Sequence, residues 1–185
     1  QGQRIWGTYF GSGGNDSLGG ITFNNNMIYL AGGTNSPSGI ATWGCWLYNF
    51  QGVMDIFVAK FNPDCQQMWS TYYGGSSYDM ANDIKFLSSG EIIIAGATES
   101  NSNIASSGSS QGALAGGRDG FLARFNQEGN RIWASYLGGS AFDNIFRISI
   151  DNNNGFAVTG ETFSNSAFAT ANSYQTTNAG GSDAF

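Results

Sequence analysis

Three stretches of this chain are versions of one another, and that repetition limits the possible folds more than any local motif does. Met68 to Ile84 reads MWSTYYGGSSYDMANDI, Arg4 to Ile21 reads RIWGTYFGSGGNDSLGGI, and Arg131 to Ile148 reads RIWASYLGGSAFDNIFRI. Trp6, Trp69 and Trp133 stand 63 and 64 residues apart, and Asp16, Asp79 and Asp143 keep the same two intervals. A second block, Ile28 to Thr34, Ile92 to Thr98 and Phe156 to Thr162, places Gly32, Gly96 and Gly160 at 64-residue steps. A third, Asp55 to Asn62, returns as Asp119 to Asn126, and its opening recurs at Asp183 to Phe185. One supersecondary unit is therefore used repeatedly.

Each period reads as four short strands. Gln3 to Phe10 alternates and is rich in β-formers, so a strand carrying Trp6 is expected there, with its turn at Gly11 to Asp16. Ser17 to Phe23 is the next strand, Asn24 to Asn26 a tight turn of residues that tolerate left-handed backbone, and Met27 to Gly33 a strand apolar enough to be buried on both faces. Val53 to Phe61 is a third strand, Asn62 to Cys65 a turn, and Gln67 to Tyr73 the fourth strand, carrying Trp69. The long segments after Thr34, Thr98 and Thr162 have the same length in each copy, which predicts that they are ordered.

Four-stranded antiparallel sheets repeated in sequence are the blades of a β-propeller. The expected fold is therefore all-β, with the strand from Asp16 innermost and the Trp strand outermost. Residues 1–15 are the outer strand and turn of a preceding blade, 16–78 and 79–142 two blades, and 143–185 an incomplete blade. About three blades of one propeller domain are present, and the domain is expected to continue beyond both ends.

Composition agrees with many short strands: 41% of the residues are apolar and 15% aromatic, only 11% are charged, and there are 28 glycines. Seven Lys and Arg against thirteen acids, a net charge of −6, leave no basic patch for nucleic acid, and no apolar run is long enough for membrane insertion as a helix. Cys45 and Cys65, both in the first repeat, are the minimum for one disulfide and tilt the expectation toward an extracellular or cell-surface location. In a meander they belong to opposite edges of a blade. A bridge requires the long segment to climb back along it.

The chain has no histidine, which removes the commonest general base, the Ser-His-Asp arrangement and His-ligated zinc. Paired carboxylates, as in many glycosidases, remain. The recurring acids, Asp16, Asp79, Asp143 and Asp55, Asp119, Asp183, hold the same place in every copy. That pattern reads as structural acceptance of turn and strand-end N–H bonds rather than catalysis, and no catalytic residue is assigned. Calcium is the one cofactor considered, with Asp16, Asp79 and Asp143 as candidate ligands, because carboxylates with turn carbonyls suit a hard cation. Asp151 to Gly155 lacks the alternating acids and closing Glu of a calcium loop and reads as a turn. The recurring Trp6, Trp69 and Trp133, with Tyr9, Tyr72 and Tyr136, read as packing between neighbouring blades.

One copy breaks the pattern. Trp43, Trp46 and Phe50 of the first long segment stand where the second has Ser107, Ser110 and Leu114 and the third Ala171, Tyr174 and Asn178. Several hundred Å² of aromatic surface, at roughly 150 to 250 Å² per ring, is added to a single blade. Either it packs on its own blade, or Trp43, Trp46, Tyr48 and Phe50 form a contact surface for a protein partner or for sugar rings.

The ordered blocks, Trp-x-Thr/Ser-Tyr-x-Gly-Gly-Ser, an apolar strand, then Asp-x-Phe-Val-Ala-Lys-Phe-Asn, resemble the SBBP family of bacterial seven-bladed β-propeller repeats across essentially the whole chain. Gly11-Ser-Gly-Gly14 departs from the Gly-Gly-Ser of the other copies, and Cys65 stands where the next copy has Gly129. The resemblance implies about seven blades and a large exported protein, similar to the long-spaced repeats of gliding-type Bacteroidota, whose surface proteins commonly leave by the type IX route. Together these readings give a non-catalytic extracellular scaffold for protein binding or adhesion, whose partners are the remaining blades or another protein. The rivals are a carbohydrate-binding propeller using residues 43–50, and part of a glycan-active enzyme.

Overall fold

The structure, a computed structural model, describes residues 2–185. Eleven strands form three antiparallel sheets, and no helix occurs among the described residues, so none is long and apolar enough to cross a membrane. The first sheet contains β1 (Asp16–Asn24), β2 (Met27–Thr34), β3 (Asp55–Phe61) and β4 (Gln67–Tyr73), paired in chain order. The second repeats it with β5 (Asp79–Phe86), β6 (Ile92–Thr98), β7 (Asp119–Phe125) and β8 (Arg131–Leu137). The third holds β9 (Asp143–Ile150), β10 (Phe156–Thr162) and the two-residue β11 (Asp183–Ala184).

Turn chemistry sets the meander. Asn25 and Asn26 take φ of 48° and 62°, the left-handed pair that joins β1 tightly to β2. Cys65 at φ 62° and Gly129 at φ 84° fill the same left-handed corner between third and fourth strands, so the thiol residue adopts the conformation its glycine counterpart takes freely. Every first strand bulges at one place: after Leu18, after Ala81, and opposite the Thr159–Gly160 step. The glycines recurring at 64-residue steps sit against these bulges. A Cβ on Gly32, Gly96 or Gly160 would overlap the carbonyl oxygen of Ser17, Met80 or Asn144, so only glycine lets the strands approach there.

The sheets stack face to face, with β1 beside β5 and β5 beside β9. Tyr29, Ala31, Ile56, Val58 and Tyr73 of the first sheet bury against Ala81, Ile84, Ile92, Ile94, Phe121 and Phe125 of the second. Ile93, Ala95 and Leu122 on the opposite face of the second sheet meet Ile145 and Ile148 of the third. Polar ties fix the spacing: Asn82 Nδ2 donates to Asn144 Oδ1 at 2.7 Å and to the Ile145 carbonyl at 2.8 Å, and Trp69 Nε1 donates to the Gln127 carbonyl at 2.8 Å.

The long segments are ordered without being helix or strand. The first two double back and strap the outer edge of their own fourth strands, β4 and β8. Thr42 N–H donates to the Ser70 carbonyl at 3.0 Å, its Oγ1 accepts the Ser70 N–H at 3.1 Å, and the Leu47 carbonyl accepts the Tyr72 N–H at 3.0 Å. Ser106 and Gln111 repeat this on Ala134 and Tyr136 of β8. The strap closes an edge that would otherwise present a free row of backbone donors and acceptors.

Two expectations need correction. Gln3 to Phe10 does not form a strand: it runs as irregular chain, because no third strand lies beside it to complete its hydrogen bonds. Its Phe10 nevertheless packs on Phe57 and Phe61, while Trp6 and Tyr9 stay exposed, unlike the buried Tyr72 and Tyr136 of the later copies. The third strand starts at Asp55 rather than Val53. Met54 instead makes an isolated parallel bridge to Tyr78, a link to the next sheet that Arg118 and Phe142 repeat.

Candidate functional site

Two groups of residues concentrate chemistry: the carboxylates at the strand ends, and the aromatic part of the first strap. Asp79 opens β5, where the chain turns from one sheet into the next, and lies fully buried. Thr98 Oγ1 donates to its Oδ1, and Ser100 Oγ and Gly75 N–H each donate to its Oδ2 at 2.8 Å. Asp143 has the same cage from Thr162, Ser164 and Gly139, and Asp16 from Thr34, Ser36 and Ser12. The carboxylate thus pins the first strand to the end of the second and to the incoming Gly-Gly turn. In each cage these three partners donate to the carboxylate, and Thr98 Oγ1 in turn accepts the Ser100 N–H at 3.0 Å. The Asp was visible in the sequence. Its Thr-x-Ser partner was not, although Thr34, Thr98 and Thr162 recur at 64-residue steps and Ser36, Ser100 and Ser164 follow each by two.

The third-strand acids take donors from the turn before them. Asp119 accepts the N–H of Ala115 at 2.9 Å and of Gly116 at 3.2 Å, and Gln111 Nε2 at 2.7 Å. Asp183 accepts the Ala179 N–H and Gln175 Nε2, at 2.8 and 2.7 Å. Asp55 accepts only the Gln51 N–H, at 2.7 Å, and its Oδ1 is buried without a partner. Burial pushes all of Asp55, Asp79 and Asp119 above the ordinary carboxylate range, Asp55 to about 6.

The structure divides the aromatic cluster. Trp46 turns inward, edge-on to Tyr73 at 6.1 Å, and carries the Arg131 guanidinium of the second sheet 4.6 Å from its ring centre. Arg131 also donates to the Ile104 carbonyl at 2.7 Å, so Trp46 helps clamp two sheets together. Phe50 packs on Tyr72 at 5.9 Å. Trp43 is 92% exposed and meets the half-exposed Tyr48 at 6.0 Å with the rings nearly perpendicular. An open aromatic corner remains.

Cys45 and Cys65 are both free thiols, partly buried, one on the strap and one in the β3–β4 turn. A depression of about 580 Å³ lies between β10, β11 and the strap of the third sheet, in the place that β4 and β8 occupy in the other two. Asp183 is the single carboxylate lining it, and Asp16 the single one lining a second depression of about 290 Å³ under Trp6 and Phe10. Neither offers the paired acids of glycosidic hydrolysis. No family model matches the chain, and no curated protein matches it.

Proposed function

We propose that this chain is a run of consecutive blades from an extracellular β-propeller of the SBBP kind, a non-catalytic binding and structural scaffold within a large bacterial surface or secreted protein. The supporting observation is the state of its two end faces. Ile84 of β5 and Ile148 of β9, each covered by the preceding sheet, are 0% and 3% exposed, whereas Ile21, their counterpart in β1, is 60% exposed. At the other end Ala157 and Thr159 of β10 lie open, although their counterparts Ile93 and Ala95 of β6 are buried against the third sheet. Both open faces carry the counterparts of residues that are buried at the junctions between neighbouring sheets, which supports the reading that further blades cover them.

The scaffold reading also agrees with carboxylates that are consumed by strand-end hydrogen bonds in every copy. Export by the type IX route and a role in adhesion extend the family resemblance. The decisive experiment is the intact mass of the native protein. A mass far above 19.6 kDa supports the reading, and a mass near that value overturns it. A second reading rests on the Trp43–Tyr48 corner, which suits stacking against a sugar ring. Glycan-array binding that vanishes in Trp43→Ala supports it, and an array without signal removes it.

A further inference from the structure

The first and second sheets meet at a pair of carboxylates that recurs between the second and third, but the donors around the two third-strand acids differ. Between the second and third sheets, Gln111 donates Nε2 to Asp119 and accepts the Gly138 N–H on Oε1 at 3.0 Å. Gln175 donates to Asp183 in the same way. The residue 64 positions before Gln111 is Leu47. It has no polar atom to offer, and its side chain packs with Ile40, Phe57 and Tyr72 instead. Asp55, fully buried, thus lacks the side-chain donor that Gln111 gives Asp119 Oδ2, and its Oδ1, unlike the Asp119 Oδ1 that takes the Gly116 N–H at 3.2 Å, has no hydrogen-bond partner.

The orphan oxygen faces another carboxylate. A Cβ placed on Gly74 would lie 3.0 Å from Asp55 Oδ1 and 2.7 Å from Asp79 Oδ2, so both oxygens border one small volume. Asp79 comes from β5, and its charge adds to the effect of burial in lifting the Asp55 carboxyl to about 6. From β4, Tyr72 stands near Asp55 with its hydroxyl committed to the Ser36 carbonyl. No cation offsets the pair: the ion pairs among the described residues, Lys85–Asp83, Arg118–Glu99 and Arg124–Glu91, all lie elsewhere.

We propose that the Asp55 carboxyl is a proton-binding site built into the junction of the first two sheets, where a proton on its unpartnered oxygen relieves the opposition of two carboxylates that border one volume beside Gly74. Ionisation leaves two carboxylates opposed across Gly74 with no counter-charge, and the junction loosens. A carboxyl that holds its proton more tightly folded than unfolded adds stability below its unfolded value, and that stability is lost as pH rises through about 6. Acid therefore tightens this junction. At the next one the Gly116 N–H satisfies Asp119 Oδ1 and Gln111 adds a further donor on Oδ2. This inference does not depend on the scaffold reading.

The test is a carboxyl-carbon NMR titration of the whole 185-residue chain, from about pH 4 to about pH 8, with unfolding midpoints measured over the same range. Asp55 is expected to titrate near 6, roughly a hundredfold tighter in proton affinity than an unperturbed aspartate. Leu47→Gln gives the Asp55 carboxylate the side-chain donor that Asp119 receives from Gln111 and, by stabilising the charged form, is expected to weaken that affinity at least about tenfold. Asp55→Asn removes the site and is expected to flatten the midpoint's rise toward acid. Titration of Asp55 in the ordinary carboxylate range overturns the proposal, as does a pH dependence that survives unchanged in Asp55→Asn. If Leu47→Gln does not fold, the native titration and Asp55→Asn still decide.

Discussion

At the scale of single residues, the buried aspartates act as fasteners. Asp79 ends the hydrogen-bonding needs of Thr98, Ser100 and Gly75 in one place, and no solvent can replace it there. Truncation leaves three donors facing a cavity. Asp79→Ala is expected to lower the unfolding free energy by about 2–4 kcal/mol, read from the urea midpoint, since each stranded donor carries a desolvation penalty and partial relaxation recovers some of it. A loss under about 1 kcal/mol would mean that the cage does not hold the strands together. How far such a site can be read in advance depends on residue type. Acids are scarce enough in this chain, 13 of 185 residues, that an Asp recurring three times at fixed spacing stands out. Ser and Thr are so common in this chain that Ser36, Ser100 and Ser164 do not stand out until the backbone brings them to the carboxylate. The single most consequential difference, Leu47 against Gln111 and Gln175, looks like an ordinary change in a variable segment. Its meaning requires knowing that Gln111 reaches Asp119.

At the scale of the element, strands and hairpins follow from alternation and turn chemistry, and the straps do not. Asn25 and Asn26 announce the β1–β2 turn, and the apolar run of β6 is buried throughout, as a strand covered on both faces must be. The straps have no period, because their order comes from hydrogen bonds to a strand about thirty residues downstream rather than from their own pattern. Gln3 to Phe10 shows the converse: β-formers and alternation are present, yet strand geometry needs a neighbour, and propensity alone does not supply one. Thr42 tests the strap directly. Thr42→Val keeps the shape and removes the Oγ1 that accepts the Ser70 N–H. A loss of about 1–2 kcal/mol is expected, with amide exchange at Ser70 accelerated more than at Ala59 on the neighbouring strand. Equal exchange at both sites would show that the strap does not guard this edge.

At the scale of the whole molecule, stability accumulates from sheet to sheet, because the second and third sheets each bury their first strand against the sheet before. Ile84 fills the core between the first two sheets, and Ile21 occupies the same position on a face that nothing covers. Chemically identical truncations should therefore have very different consequences. Ile84→Ala deletes buried methyl groups and leaves a cavity, with an expected cost of about 2–5 kcal/mol. Ile21→Ala removes atoms already in water, with an expected cost below about 0.5 kcal/mol. Urea unfolding of both variants in the 185-residue chain measures the contrast. If the chain stands within a larger assembly of such sheets, the same Ile21→Ala change in the full-length protein should cost as much as Ile84→Ala, since a covering sheet would convert its exposed side chain into core. Equal, small effects of Ile21→Ala in both settings would mean that this face remains open in the native protein. The stack would then end at β1, and the open face itself would be the surface presented to a partner.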